Sequence, residues 1–560
     1  MKGLSVQGWR HRIMPEHPGP ALLSGVLLGL AHPPFNLLVP SFVALVPFIV
    51  WHASLPATSD GARQARAGGF FLGLIYFTLV FYWLLVALIF YTAWAVGAFL
   101  TPIIVLSGML WLMSGAIHAT RRWLGWPVWV AFPVFWTSIE WLRAHLADVS
   151  FPWMQLGDTL AGYPQLVGAA DLVGSRGISF WLVAVNALVA AAWLRGKTDG
   201  PRRALPLVGA LVATLAAPIA YSLIRWTTLE MIPAAIVGVV QPNVPEHIKI
   251  GNRRVAADSA IRATETLAAG WMGQAGDGAG SIDLLLLPES AIPDYPEPLP
   301  SAGYPGLSEL DGWATGLADR LDADVLWGSL GITDHGAGYD RFNSAFLTRP
   351  GVGRVARYDK RFLVPVVERV PFLPPSWFSK LTYFGGFGVG GWAQPLPVRR
   401  RTDSAGDGVP DGAAVSAYGV MICYESIFSS LARHYRLGGA DFLVNITNDA
   451  WFGREAWWSR SSALWQHPAH LVMRTIETRM GAARSANTGV SELIDPLGRV
   501  SQATPLFEPA AFRGQVMTTS GLTVYVRYGD AVGWAAALAA ILGLALSVKA
   551  GRRSRRDSAR

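Results

Sequence analysis

Apolar runs at about residues 20–32, 38–53, 69–90, 93–119, 124–142, 178–194 and 204–224, with a last one at about 531–548, constrain this chain more than any other feature. Runs of such length read as membrane-spanning helices, about eight in all. The first is short and ends at Pro33-Pro34. Trp51, Tyr91, Trp123, Trp126 and Tyr221 sit near run ends, as interfacial aromatic belts do. The composition agrees: 52% of the 560 residues are hydrophobic and only 15% charged, too apolar for a wholly soluble protein.

Basic residues set the orientation. Arg63 and Arg66 lie between the second and third runs, Arg121 and Arg122 between the fourth and fifth. Arg195, Lys197, Arg202 and Arg203 lie between the sixth and seventh, and Lys549, Arg552, Arg553, Arg555 and Arg556 follow the last. The alternate loops near 33–40 and 90–93 carry no Lys or Arg, and 143–177 has only Arg143 and Arg176. By the positive-inside rule the N-terminus, the basic loops and the tail are cytoplasmic. The long segment between the seventh and eighth runs then lies outside, on the periplasmic side of a bacterial inner membrane. The net charge of +8 is therefore expected to reflect topology, with no nucleic-acid partner. Residues 1–12 are basic, but no small-residue cleavage site follows the first run, so a retained anchor is expected rather than a removed signal peptide.

The expected organisation is a membrane domain over 1–229 with about seven helices, a soluble domain over 230–520, and a last helix with a basic cytoplasmic tail over 521–560. In the middle segment, 234–241, 282–287, 325–332, 343–347, 415–422, 442–446, 491–494 and 514–518 read as strands. Residues 253–269, 307–321 and 470–483 have helical spacing. That alternation implies a layered α/β core. Gly, Asp and Pro over 402–412 mark an exposed loop. A single cysteine excludes an internal disulfide framework, and there is no CxxC.

That cysteine, Cys423, ends a β-rich apolar run and precedes Tyr424, Glu425 and a stretch, 426–433, able to open a helix. A thiol between a strand end and a helix N-terminus is favoured as thiolate, although a free cysteine is often only a small core residue. Glu289 follows a strand through Pro288, at the kind of sheet end where α/β sites collect; alone it reads as a solvated loop carboxylate. Lys360, in Arg357-Tyr358-Asp359-Lys360-Arg361-Phe362-Leu363-Val364-Pro365, alone reads as solvent-facing. Glu368 follows before Val370-Pro371.

Together, a strand-end Leu-Pro-Glu, a Tyr-x-Lys-x-x-Leu-Val-Pro loop and a strand-end Cys-Tyr-Glu resemble the Glu-Lys-Cys nitrilase superfamily. The fuller pattern is similar to its membrane-embedded branch, the apolipoprotein N-acyltransferases. Supporting segments are Gln241-Pro242-Asn243-Val244-Pro245, Asn343-Ser344, the run from Asn445 to Gly453, Arg484-Ser485-Ala486-Asn487-Thr488-Gly489, Glu140-Trp141-Leu142-Arg143, Phe151-Pro152-Trp153 and Tyr525-Val526-Arg527-Tyr528-Gly529-Asp530. The resemblance implies a polytopic α-helical membrane domain plus an extracytoplasmic αββα sandwich. It implies Cys423 as nucleophile, Glu289 as general base and Lys360 as oxyanion stabiliser, the last with a backbone N–H near Tyr424. Glu368, Tyr424 and Glu425 would support them. The reaction implied is acyl transfer from a phospholipid, through a Cys thioester, to the α-amine of a diacylglyceryl-cysteine on an apolipoprotein. No metal or other cofactor is required, and a monomer is expected.

Both substrates are lipids, so the site belongs at the bilayer's outer interface. The aromatic-rich segments 371–392 and 451–465 are expected to form mobile arms over it. Trp377, Phe387, Trp392, Trp451 and Asn343 are the substrate-loop candidates. One departure stands out: Ile250 follows His247-Ile248-Lys249 where the family often has Trp. Glu140 and Arg143, at a membrane edge, read as an ion pair closing a helix end or as guides for lipid headgroups, the structural role being favoured. Gly386-Phe387-Gly388-Val389-Gly390-Gly391 satisfies GxGxxG, but no strand precedes it and no helix follows, which argues against a dinucleotide. His467-Pro468-Ala469-His470 is not HExxH, and Pro468 suggests a helix start instead of zinc. A membrane-anchored amidase acting on small amides would use the same triad. A transporter would need charges inside the spans, and these are nearly absent.

Overall fold

The apolar runs fold as helices. The computed structural model describes residues 15–89, 94–272, 281–336, 338–374, 377, 386–399 and 414–558. Among the described residues, five helices are long and apolar enough to cross a membrane: Ser59–Phe81, Ala95–Leu124, Ala170–Asp199, Pro201–Thr228 and Ala531–Asp557. The other three runs are shorter. Gly19–Ala31 stops before Pro33-Pro34, the run at 38–53 divides into Leu38–Val43 and Val46–Ser54, and Val128–Ala144 begins only after Pro127. Ser59–Phe81 starts ten residues before the expected run, because Thr58 accepts a hydrogen bond from Gly61 N and caps the helix there. Arg63 and Arg66 therefore lie on this helix, not in a loop. Its Gly69 faces Leu110 O of the helix Ala95–Leu124 so closely that a Cβ would come within 2.4 Å. Small residues at such crossings let helix backbones approach.

The second region is built from two six-stranded sheets. Sheet one runs β12-β1-β2-β3-β4-β5, with β1 Ile232–Gln241, β2 Leu284–Leu286, β3 Asp324–Asp334, β4 Tyr339–Arg349, β5 Gly353–Asp359 and β12 Ala510–Thr518. Sheet two runs β11-β10-β9-β8-β7-β6, with β6 Leu396–Arg399, β7 Ala414–Ile422, β8 Phe442–Thr447, β9 Gly481–Ala486, β10 Glu492–Ile494 and β11 Val500–Ala503. The centre of each sheet is parallel, β1-β2-β3 and β7-β8-β9. Strands buried on both faces need near-continuous apolar sequence, and Leu284–Leu286 and Phe442–Thr447 are fully buried. Alternate residues Val237, Leu286 and Leu326 of sheet one meet Val420, Ile422, Val444 and Ile446 of sheet two. The helices Arg253–Ala268 and Ser308–Leu321 cover sheet one, and Ser429–Leu437 and Ala463–Thr478 cover sheet two, giving four αββα layers.

Three expectations are corrected. The helix expected over 470–483 is Ala463–Thr478, followed by β9. Arg479 takes φ 52° and ends the helix. Gly481-Ala482-Ala483 then pair between β8 and β10, so sheet pairing overrides the helix propensity of alanine. Pro468 lies inside that helix and does not start it. The third is the helix expected over 426–433. Cys423–Ile427 is a 3₁₀ turn, and the helix begins at Ser429, so Cys423 is not at its N-terminus.

The helix layer of sheet two shares one continuous core with the membrane helices. Gly174 (φ 69°) interrupts the helix Ala170–Asp199, and a Cβ there would meet the Tyr525 ring at 2.5 Å. Just after this break, Ser175 N and Oγ donate to Glu477 Oε1 at 2.7 and 2.6 Å, and Arg176 Nε pairs with Asp530 Oδ2 at 2.6 Å. Glu140 and Arg143 do not form the expected pair. Glu140 Oε1 accepts from Trp136 Nε1 and Leu156 N, whereas Arg143 donates to the carbonyls of Phe151 and Trp153.

Candidate active site

Glu289, Lys360 and Cys423 converge although they come from different sheets. Glu289 follows β2, Lys360 follows β5, and Cys423 follows β7. All three are at least nine-tenths buried. Lys360 Nζ lies 3.4 Å from Glu289 Oε1 and 2.8 Å from Glu368 Oε1. Asn343 Nδ2 donates to both carboxylates, at 2.6 and 2.9 Å. It sits on β4 between the two acids, not on a substrate loop. Asn448 N donates to Glu289 Oε2 at 2.8 Å, and the charges of Glu289 and Lys360 both act on the Cys423 thiol.

This arrangement fixes the charge states. Burial by itself would raise the Glu289 carboxyl, but the Lys360 charge, Asn343 and the Asn448 N–H outweigh it and hold the group below the usual carboxylate range. Burial would lower Lys360, yet Glu368 and Glu289 pull it well above the ordinary lysine value. Burial and the Glu289 charge push the Cys423 thiol up, against the opposing pull of Lys360. The resting pair is therefore thiol and carboxylate, not the thiolate expected from a helix N-terminus.

Cys423 has φ 52°, a left-handed conformation rare outside glycine, which turns the chain sharply at the sheet's end. Glu425 braces this turn. Its Oε2 accepts from Ile422 N at 2.7 Å, and its Oε1 accepts from Tyr358 Oη, Arg361 N and Phe362 N at 2.8, 2.8 and 3.1 Å. Glu425 thus ties the cysteine turn to the Lys360 loop. Burial raises its carboxyl to about 7. Tyr424 Oη donates to Ser150 O at 2.8 Å and the ring stacks against Phe151 and Trp153, so it links the turn to the membrane region. The glycine-rich run packs on the same loop: Gly390 N donates to Lys360 O at 2.9 Å, where a Cβ would lie 1.8 Å from Asp359 O.

The aromatic candidates divide. Trp377 is exposed, Trp392 lies over the Arg361 guanidinium at 4.1 Å, and Phe387 and Trp451 are partly buried. Phe387 N donates to Glu368 O at 3.1 Å, joining that segment to the site. Phe378, Tyr383 and Phe384, like Tyr91, residues 1–12 and the loop 402–412, lie outside the described residues. Sequence reasoning missed Asn448, whose contribution is a backbone N–H, and Lys249, buried with Nζ on Ser290 O at 3.0 Å. The available signals were the mostly apolar strand before Asn448 and its place in the run from Asn445 to Gly453. Among the described residues no group of three or more His, Cys, Asp or Glu is placed to hold a metal.

Comparison with known proteins adds the family. Residues 24–188 match the apolipoprotein N-acyltransferase N-terminal domain, and 212–512 match carbon-nitrogen hydrolase. The chain is 31% identical over 542 residues to the apolipoprotein N-acyltransferase of Geobacter metallireducens, covering 94% of this chain and 95% of that one. It is 30% identical to that of Chlorobaculum tepidum, covering 91% and 92%, and 30% identical to that of Bordetella bronchiseptica, covering 97% and 99%. With both domains matched and the similarity running nearly end to end, this chain belongs to the apolipoprotein N-acyltransferase family.

Proposed function

We propose that the chain moves a fatty acyl group from a phospholipid to the α-amine of a diacylglyceryl-cysteine, with Glu289, Lys360 and Cys423 as the reacting machinery. The observation that carries this reading is the joint burial of one thiol, one carboxylate and one ammonium at the ends of β7, β2 and β5, with carboxylate and ammonium 3.4 Å apart. Glu289 takes the Cys423 proton as sulfur attacks the ester carbonyl. Lys360 holds the tetrahedral oxyanion. Its ammonium is kept in place by Glu368, and Glu368 by Asn343 and Val364 N. Collapse expels the lysophospholipid oxygen, which takes the proton back from Glu289, and leaves a thioester. In the second half Glu289 removes a proton from the incoming amine, nitrogen attacks the thioester, and the leaving thiolate regains the proton.

The site faces the outer leaflet, on the periplasmic side of an inner membrane, and the chain acts as a monomer. Basic residues cluster in the last turns of the helix Ala531–Ser558, at Arg552, Arg553, Arg555 and Arg556, which supports a cytoplasmic tail. Trp377, Trp392, Trp457 and Trp458 are exposed and serve as lipid contacts. Hydrolysis of small amides would use the same triad, but the match of the membrane helices to relatives of the transferase name favours transfer.

Intact mass of the purified protein after mixing with phospholipid tests this. An acyl-sized increase on Cys423, absent in Cys423→Ala and removed by a diacylglyceryl peptide, is expected. Release of ammonia from small amides, with no acyl adduct on mixing with lipid, would overturn it.

A further inference from the structure

The Cys423 carbonyl meets a second, fully buried polar group. His467 Nε2 lies 3.0 Å from Cys423 O, and Asn445 Nδ2 donates to Met421 O at 2.9 Å and reaches Cys423 O at 3.5 Å. A carbonyl oxygen only accepts, so His467 carries its hydrogen on Nε2. The other nitrogen, Nδ1, faces Arg484 Nη2 at 3.1 Å and Asp449 Oδ1 at 2.9 Å. Asp449 is itself held by Arg484 Nη2 at 2.7 Å and Thr447 Oγ1 at 2.9 Å. Burial and the Arg484 charge lower the His467 pKa, against the opposing pull of Asp449.

The ring is also clamped from the membrane side. Trp153 stacks on it at 5.4 Å with 26° between planes, and Phe452 meets it edge-on at 5.7 Å. Trp153 Nε1 donates to Gln466 Oε1 at 2.9 Å, and Gln466 Nε2 donates to Pro33 O, in the turn after Gly19–Ala31, and to Val80 O of the helix Ser59–Phe81, at 3.2 and 3.1 Å. A direct chain of contacts thus runs from the bundle, through Trp153 and His467, to the backbone of the nucleophile. Cys423 sits in a backbone conformation that persists only when its surroundings over-determine it.

We propose that His467 is a positioning residue for acyl transfer: its Nε2–H holds the Cys423 carbonyl, and with it the turn that aims the thiol, from a seat anchored in the membrane helices. This rests on Cys423 being the nucleophile. The membrane region is then part of the catalytic geometry and not only an anchor.

The test compares two buried amides of similar polarity in the full-length protein. In His467→Gln the amide reaches the place of Nε2; in His467→Asn it reaches only the place of Nδ1. Single-turnover acylation by phospholipid, followed by intact mass, should retain most of its rate in His467→Gln. It should fall by about tenfold to 100-fold in His467→Asn, with the lipid concentration for half-saturation unchanged. Thermal midpoints of the two variants should be similar. Equal acylation rates in the two would overturn the inference, as would a fall that follows the thermal midpoint alone. The same assay on Cys423→Ala separates the two readings. If that variant still transfers acyl groups, the assignment of the nucleophile fails; if it is inactive while His467→Asn matches the parent, only the role of His467 fails.

Discussion

Two of the helices that flank the sandwich, one on each sheet, obey the same layer rule and end up in opposite environments. Ser308–Leu321, outside sheet one, buries five of its fourteen residues, an apolar stripe with polar residues on its other faces. Ala463–Thr478, outside sheet two, buries fourteen of its sixteen, among them Gln466, His467, His470, Arg474 and Glu477. The first helix faces water and needs only one apolar face. The second is covered by the sheet on one side and the membrane helices on the other, so every polar side chain on it must find a partner inside the protein. Those partners are what join the two regions: Ser175 to Glu477 and Arg474, and Pro33 and Val80 to Gln466. A buried polar seam of this kind fixes geometry more than it adds stability, because desolvation offsets much of its attraction.

Substitutions on the two sides should expose the contrast. Arg474 is wholly buried and donates to Ile427 O, Ser175 Oγ and Glu477 Oε1. Arg474→Ala leaves Glu477 as an uncompensated buried charge, so a loss of about 3–5 kcal/mol is expected in thermal or denaturant unfolding in detergent. A loss of less than a third of that would mean the seam is solvated.

Glu425, at the junction of the two sheets' loops, gives a smaller, pH-dependent effect. Burial lifts its pKa from the usual 4.5 to about 7 in the folded chain. A folded pKa above the unfolded one means that stability is fully present below about pH 4.5 and is lost as pH rises through 7, at up to about 1.4 kcal/mol per pH unit. Glu425→Gln should flatten unfolding midpoints over this window. Part of the slope remains, because burial raises Glu492 to about 7 as well. An unchanged slope would show that the four donors around Glu425 keep it ionised.

The smallest effect belongs to the water-facing side. Arg320 pairs with Glu265 across the outer helices while nearly half exposed. Arg320→Ala should change stability by less than about 1 kcal/mol, and less still at high salt. A loss comparable to that of Arg474→Ala would remove the distinction between the two layers.

How far the sequence could be read depended on how local each signal is. The apolar runs and the strands around Leu284–Leu286 and Phe442–Thr447 were legible, because burial on both faces leaves a continuous apolar record. Glu289, Lys360 and Cys423, the proposed reacting groups, stand out in the sequence only as members of a family pattern; each alone has an ordinary explanation. β9 was misread, since Gly481-Ala482-Ala483 carries no strand signature and owes its state to the strands on either side. His467 was weighed for zinc and set aside, because nothing near it in the chain shows that its ring nitrogen meets the carbonyl of Cys423, 44 residues earlier.

The sequence by itself determined which stretches leave water and which residue types supply the chemistry, since hydrophobic transfer and side-chain reactivity are properties of local composition. Only the tertiary structure decided the surroundings of the Cys423 thiol, the partners of Glu140 and Arg143, and the meeting of His467 with the Cys423 carbonyl. Those depend on distances between groups far apart in the chain, and the charge of a buried group follows from its neighbours, not from its own identity.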